Sequence, residues 1–199
     1  MIWIYGASGH GKVILDLLEE KKIAVAGFLD DNEALAEFMG YRVIRPDELT
    51  DAGAEMIIAV GDNATRKKIV EKNTYRYFTA IHPTAILSSH IAVAEGCVIM
   101  ARAVVQTGTL IGKHTIINTG ALVDHDGTIG DFVHVAPGVT LCGDVTIGEC
   151  TWIGAGTTVI QGVTIGKNVF VGAGTLIRKD VPDNVLIVGN PQRIVRRFY

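Results

Sequence analysis

A small Rossmann-like α/β domain followed by a left-handed parallel β-helix of hexapeptides is the fold that the 199-residue sequence predicts, and two rhythms predict it. Over the first eighty residues short apolar runs alternate with helical stretches. From Ile81 to Ile177 every sixth residue is aliphatic, seventeen times without a break. A helix repeats its apolar positions about every 3.6 residues and a strand about every 2, so a strict period of six requires short strands separated by tight corners. Three such strands close one triangular coil of 18 residues. The residue two places before each aliphatic is small or β-branched almost throughout (Ala85, Cys97, Ala103, Thr109, Ala121, Val133, Val145, Thr157, Val163, Thr175), because a bulky pair at every inward position overfills a narrow prism.

The elements follow in order. Ile2 to Tyr5 read as a buried strand, Gly6 to Gly11 as a turn, Lys12 to Glu20 as a helix, and Ile23 to Leu29 as a second strand ending in Asp30-Asp31. Met56 to Val60 form another strand, and Asn63 to Lys72 another helix. The division between residues 1–80 and 81–199 falls near Phe78 to His82, where Pro83 discourages helix. Glycine pairs, as in Ile153 to Gly156 and Val171 to Gly174, supply corners of the β-helix. After Val181 the sixfold rule lapses, and Pro182 to Tyr199 form a tail that covers the last coil. The α/β domain at one open end and the tail at the other protect the solenoid from edge pairing.

Composition narrows the function. A net charge of −3 gives no general attraction to nucleic acid. Cys97, Cys142 and Cys150 are an odd number without metal-like spacing, and are read as free thiols of a reducing compartment. The N-terminus has neither a basic leader nor a cleavage site, and no apolar run approaches the roughly 18 residues of a membrane span. A soluble cytoplasmic protein without membrane insertion is expected.

Gly6-Ala7-Ser8-Gly9-His10-Gly11 lies between a strand and a helix, where backbone amides and a helix N-terminus cradle phosphate. The spacing is G-x-x-G-x-G, and Asp30 stands at the end of the next strand, where an acid commonly meets a ribose hydroxyl. The same glycines also serve a tight turn. A bound nucleotide moiety suits these eighty residues better than redox use of NAD.

Counting along the prism places the histidines. His125 occupies an outward corner between Asp124 and Asp126, and a neighbouring carboxylate holds an imidazole in one tautomer and raises its basicity, as a general base requires. Eighteen residues on, Gly143 leaves an open track beside the imidazole and an amide able to stabilise an oxyanion. His134 is half a coil away and points from another side of the prism, so only a symmetric oligomer pairs the two, and a three-sided body suits a trimer. His82, His90 and His114 have no comparable context. No H-x4-H pair is present, so no metal site is assigned.

With these residues in place the chain resembles a known family. YGASGHGKV, FLDD and IAVGDNATRKK, followed by the hexapeptides, the Asp-His-Asp triplet, His134 and a terminal VGNPQRIV, resemble bacterial sugar acetyltransferases. That group includes the UDP-4-amino-sugar N-acetyltransferases of the bacillosamine pathway and sialic acid O-acetyltransferase-like proteins. The resemblance implies acetyl-CoA as donor, with its pantetheine arm held between the subunits of a homotrimer. It implies His125 as general base and Asp126 beside it, where the relatives usually carry glutamate; His134 and Gly143 bordering the acetyl group; and the backbone around Ala155 and Ala173 following the cofactor. It also implies that Ser8, Gly9, His10, Asp30, Asp31 and Gly61 hold a nucleotide-sugar. Arg178, Lys179, Arg193, Arg196 and Arg197 either meet the CoA phosphates or form a solvated basic tail. The expected reaction is direct acetyl transfer to the amine of a nucleotide-linked amino sugar, with O-acetylation of a sugar hydroxyl, or a non-catalytic nucleotide-sugar-binding scaffold, as the alternatives.

Overall fold

The computed structural model describes residues 1–51 and 53–198; Tyr199, the last residue of the expected tail, lies outside the described residues. The α/β unit contains β1 (Ile2–Tyr5), α1 (Gly9–Glu20), β2 (Val25–Leu29), β3 (Glu37–Phe38), β4 (Tyr41–Ile44), β5 (Glu55–Ile58), α2 (Asn63–Lys72) and β6 (Arg76–Tyr77). Its sheet runs β3-β4-β2-β1-β5-β6, parallel except for the β3–β4 pair. The chain moves from β1 to β2 and β4 on one side, then returns to β5 on the other. The order therefore reverses beside β1, and open α/β sheets bind ligands at the carboxyl ends of strands flanking such a reversal. β3 and β4 were not foreseen, because Glu37–Phe38 and Tyr41–Ile44 lack the run of consecutive apolar residues that marks β1 and β5.

Two-residue strands from β7 (Ala80–Ile81) to β23 (Leu176–Ile177) begin every six residues, and each ends on one of the repeating aliphatics. They stack in parallel with an 18-residue register, as in Val98 with Ile116 and His134 with Trp152, and so form three flat faces of the left-handed β-helix. The first face carries β7, β10, β13, β16, β19 and β22, the second begins with β8, and the third with β9. Inward aliphatics from Ile99 to Ile177 are buried in one continuous core. The inward threonines are satisfied within it: Thr109, Thr115, Thr151 and Thr157 each donate to a carbonyl fifteen residues ahead, at 2.7 to 3.2 Å.

The corners are as regular as the strands. From Gly96 to Gly174 every sixth residue has a left-handed backbone, and seven of these fourteen positions are not glycine: Arg102, His114, Asp126, Phe132, Asp144, Cys150 and Asn168. Glycine supplies only half of the corners; elsewhere the ladder on both sides imposes the conformation on a residue with a Cβ.

The α/β unit does more than close one open end. It lies along the first face, where the outward residues Val98, Met100 and Ile116 join a core with Ile14, Leu17 and Leu18 of α1. Lys21 Nζ donates to Ile81 O at 3.1 Å near the start of the solenoid, while Lys67 of α2 reaches Glu149 at 2.6 Å. On the first face the outward apolar residues Val98, Met100 and Ile116 are buried by this placement, which requires a partner along the side. At the far end β24 (Val185–Val188) extends the first face, buries Val185 and Ile187 in the solenoid core, and pairs antiparallel with β25 (Arg193–Arg197).

Candidate active site

His125 stands on the corner between the second and third faces, half exposed. Its Nδ1 lies 2.9 Å from Asp126 Oδ2. A carboxylate only accepts, so Nδ1 carries the proton and Nε2 is left as the basic lone pair. The left-handed backbone of Asp126 (φ 58°) turns its short side chain back onto the ring, so aspartate makes the contact despite its shorter reach. Gly108, one coil below, makes room for it: a Cβ there would stand 2.2 Å from Asp126 Oδ1. The Asp126 hydrogen bond and the charge of Asp124 hold the imidazole pKa above its usual 6.5. Asp124 also accepts the His125 backbone N–H at 2.8 Å.

Gly143 lies one coil beyond, as the 18-residue count requires, but the track over it is not open. The imidazole lies on the glycine, which is buried; a Cβ there would stand 2.5 Å from His125 Cε1 and Nε2. Its N–H donates to no protein acceptor among the described residues. The basic nitrogen and an amide without a protein acceptor among the described residues thus lie at the same corner.

His134 belongs to a different place. It sits on the first face at β16 (His134–Val135), buried under the α/β unit. Its Nδ1 is 3.1 Å from Gly61 O and its Nε2 3.0 Å from Asn118 Nδ2. A carbonyl only accepts, so Nδ1 carries the proton; Asn118 agrees, because its Oδ1 already takes the Thr119 N–H at 2.8 Å and its Nδ2 must face the ring. The ring packs on Trp152 at 4.1 Å and lies 6.3 Å from His10. Burial, with the nearby Arg66 charge, holds both imidazoles neutral: His134 is pushed down to about 3 and His10 to about 4.

The loops at the sheet reversal meet this histidine pair. Gly6 and Gly11 are required by the fold, because a Cβ would strike Ala59 O at 2.8 Å and Gly6 O at 2.3 Å respectively. Gly9 faces open space with nothing within 4 Å of its missing Cβ, so this glycine leaves room for a ligand. Ser8 is the exposed N-cap of α1 and makes no capping bond, while the first turn of α1 has no acidic side chain to compete with an anion. Asp30 is partly engaged, accepting from Ala7 N at 2.8 Å and Asn32 N at 2.9 Å, and Asp31 accepts from Tyr5 Oη at 3.1 Å. His10 Nε2 is buried without a protein partner among the described residues.

Within one chain the candidate residues thus form two groups. His125, Asp126 and Gly143 share the corner between the second and third faces. His134, His10, Gly61 and the Ser8–Gly9 loop gather on the first face. Ala155 and Ala173, exposed and stacked through the Gly174 N–H to Ala155 O bond at 2.9 Å, line the corner between the first and second faces. A cavity of about 410 Å³ lined by Asn63, Lys67, Trp152 and Phe170 opens beside α2, but none of the candidate residues lines it. Sequence reasoning missed Gly108, Asn118 and Arg66. Counting back 18 from Asp126 finds Gly108, whereas the other two are fixed by domain packing and leave no local signal.

Fold and site together define a hexapeptide-repeat transferase that carries an α/β domain ahead of its solenoid. Residues 1–73 match the PglD N-terminal domain, and residues 144–179 match the bacterial transferase hexapeptide (six repeats). A variant of perosamine N-acetyltransferase from Caulobacter crescentus, solved with CoA and GDP-perosamine, superposes with a TM-score of 0.93 at 35% identity, covering 98% of this chain and 96% of that one. The acetyltransferase domain of PglB from Neisseria gonorrhoeae FA1090, solved with acetyl coenzyme A, gives 0.91 at 35% identity and 98% of both chains. UDP-N-acetylbacillosamine N-acetyltransferase of Bacillus subtilis (strain 168) is 38% identical over 117 residues, which are 49% of this chain and 50% of that relative. The chain belongs to the PglD-type family of hexapeptide-repeat acetyltransferases.

Proposed function

We propose that the protein transfers the acetyl group of acetyl-CoA to the amine of a nucleotide-linked amino sugar. The observation that carries this reading is the His125 corner: Nδ1 tied to Asp126 at 2.9 Å, and Nε2 over a glycine whose amide is free. His125 Nε2 removes a proton from the attacking amine. The amine nitrogen bonds to the thioester carbon, and the Gly143 N–H steadies the oxyanion. Collapse breaks the C–S bond, and the imidazolium returns its proton to the departing CoA sulfur. No acyl-enzyme is needed in this reading, and burial pushes the Cys97 thiol up to about 11, out of nucleophilic range.

In this reading Ser8, Gly9, His10, Asp30, Asp31 and Gly61 hold the nucleotide-sugar, and His134, Ala155 and Ala173 border the CoA arm. The separation of the two groups within one chain supports a site between neighbouring subunits of a homotrimer. Three free cysteines suit a cytoplasmic enzyme, and among the described residues no helix is long and apolar enough to cross a membrane. Thiol release from acetyl-CoA, measured with UDP-, GDP- and TDP-linked amino and hydroxyl sugars, tests the reading. An amino sugar is expected to be turned over, and His125→Ala to lower kcat by roughly 10²- to 10⁴-fold. Near-wild-type turnover in that variant removes His125 as the base, and preference for a hydroxyl sugar makes the reaction O-acetylation.

A further inference from the structure

Among the described residues Arg66 is the largest fully buried side chain, 1% exposed, and no carboxylate lies within ion-pair distance of it. A buried cation without a counter-charge is destabilising unless every donor is used. Here every donor is used. Nε donates to His114 O at 2.8 Å, Nη1 to Val60 O at 2.8 Å and Gly61 O at 2.9 Å, and Nη2 to Asn63 Oδ1 at 2.8 Å, Phe132 O at 2.9 Å and Val133 O at 3.3 Å.

These acceptors have a pattern. His114, Phe132 and Cys150 are left-handed corner residues 18 apart, stacked along the edge where α2 lies, and the backbone ladder uses none of their carbonyls. α2 takes all three: Arg66 the first two, and Asn63 Nδ2 the third at 3.1 Å. A pin between two domains needs nothing more. Yet Arg66 also commits Nη1 to the loop after β5, at the sheet reversal, and the Gly61 carbonyl it holds is the one that accepts from His134 Nδ1.

We propose that Arg66 is a positioning residue of this site: it sets the Val60–Gly61 loop against the β-helix and, through the Gly61 carbonyl, fixes His134 as the Nδ1-protonated tautomer whose Nε2 can only accept. The role rests on reading the Ser8–Gly9 loop and Gly61 as the nucleotide-sugar site. With Gly61 O held, Nδ1 has one acceptor at the right place, and Asn118 closes the other side by presenting its amide hydrogens to Nε2. Losing the guanidinium frees the Gly61 carbonyl to rotate, and the ring loses the contact that selects its tautomer.

The test uses full-length protein with ¹⁵N-labelled histidine, comparing two-bond ¹⁵N–¹H spectra of ligand-free wild type, Arg66→Met and Arg66→Lys with their steady-state kinetics. Wild-type His134 is expected to show a protonated Nδ1 and a bare Nε2. Arg66→Met is expected to add the Nε2-protonated form and to raise the KM for the nucleotide-sugar on the order of tenfold, with a smaller fall in kcat. Arg66→Lys keeps the charge but supplies fewer donors; it is expected to lie between them, and it carries the test if the methionine variant fails to fold. Wild-type His134 protonated at Nε2, or a variant with unchanged tautomer and KM, overturns the proposal. Because the spectra need no substrate, an inactive wild-type protein would remove the functional reading while leaving the tautomer to be decided on its own.

Discussion

Gly143→Ala separates the chemistry of the corner from its architecture. The backbone at Gly143 is not in the left-handed region, so alanine adopts it without strain, and the only atoms within 3.2 Å of the new methyl belong to the His125 ring. Ordinary carbon contacts lie near about 3.5 to 4.0 Å, whereas the methyl would meet Cε1 and Nε2 at 2.5 Å. The imidazole must therefore retreat by about 1 Å, and a misplacement of that size at a reacting group costs on the order of 10²-fold in rate. Since His125 is half exposed and free to move, the fold loses little. Thiol release should show kcat reduced about 100-fold, with a melting temperature within a few degrees of wild type and intact oligomers. A Gly143→Ala enzyme with normal turnover would refute the placement of Nε2 over this amide as the site of proton removal.

Two further outcomes follow from the titrating groups. A general base acts when deprotonated, so the raised His125 pKa places the acidic limb of kcat/KM above the ordinary 6.5; Asp126→Asn removes the main cause and should move that limb to lower pH, and a limb that stays put argues against the pair. Buried neutral His134 and His114 have folded pKa values of about 3 and about 4, below their unfolded values, so the stability they contribute is fully present above about 6.5 and declines as pH falls. At pH 5 each has lost about 2 kcal/mol, about 4 kcal/mol together. Thermal melts at pH 7 and pH 5 should show the loss, and equal midpoints would contradict the burial of these rings.

What could be read in advance divides by range. The sixfold aliphatics, the strand pairs they end, and Gly143 one coil beyond His125 all follow from counting, because a solenoid converts sequence separation into distance. The same counting separated His125 from His134. It could not show that the imidazole would lie on Gly143, since that depends on a rotamer, nor that Asp126 would reach Nδ1, since that depends on a left-handed corner at a residue with a side chain. The α/β unit was expected at the open end because the apolar surface of Val98, Met100 and Ile116 is visible as a docking face only once the prism is built. Arg66 was passed over for the same reason: its six acceptors come from segments up to 67 residues away, and nothing beside it in the sequence announces them.

The proposal that one active site is built from two chains is tested most directly by complementation. His125→Ala removes the base, and Gly9→Trp places a bulky side chain on the glycine loop, where the Cβ meets nothing within 4 Å; each variant alone should be inactive. When the two are co-expressed with different tags and the mixed oligomers are purified, every mixed trimer has one interface of its three, roughly a third, that pairs an intact His125 with an intact loop. Activity recovered to roughly one third of wild type is the expected result, and mixed oligomers with no activity would show that base and loop must come from the same chain.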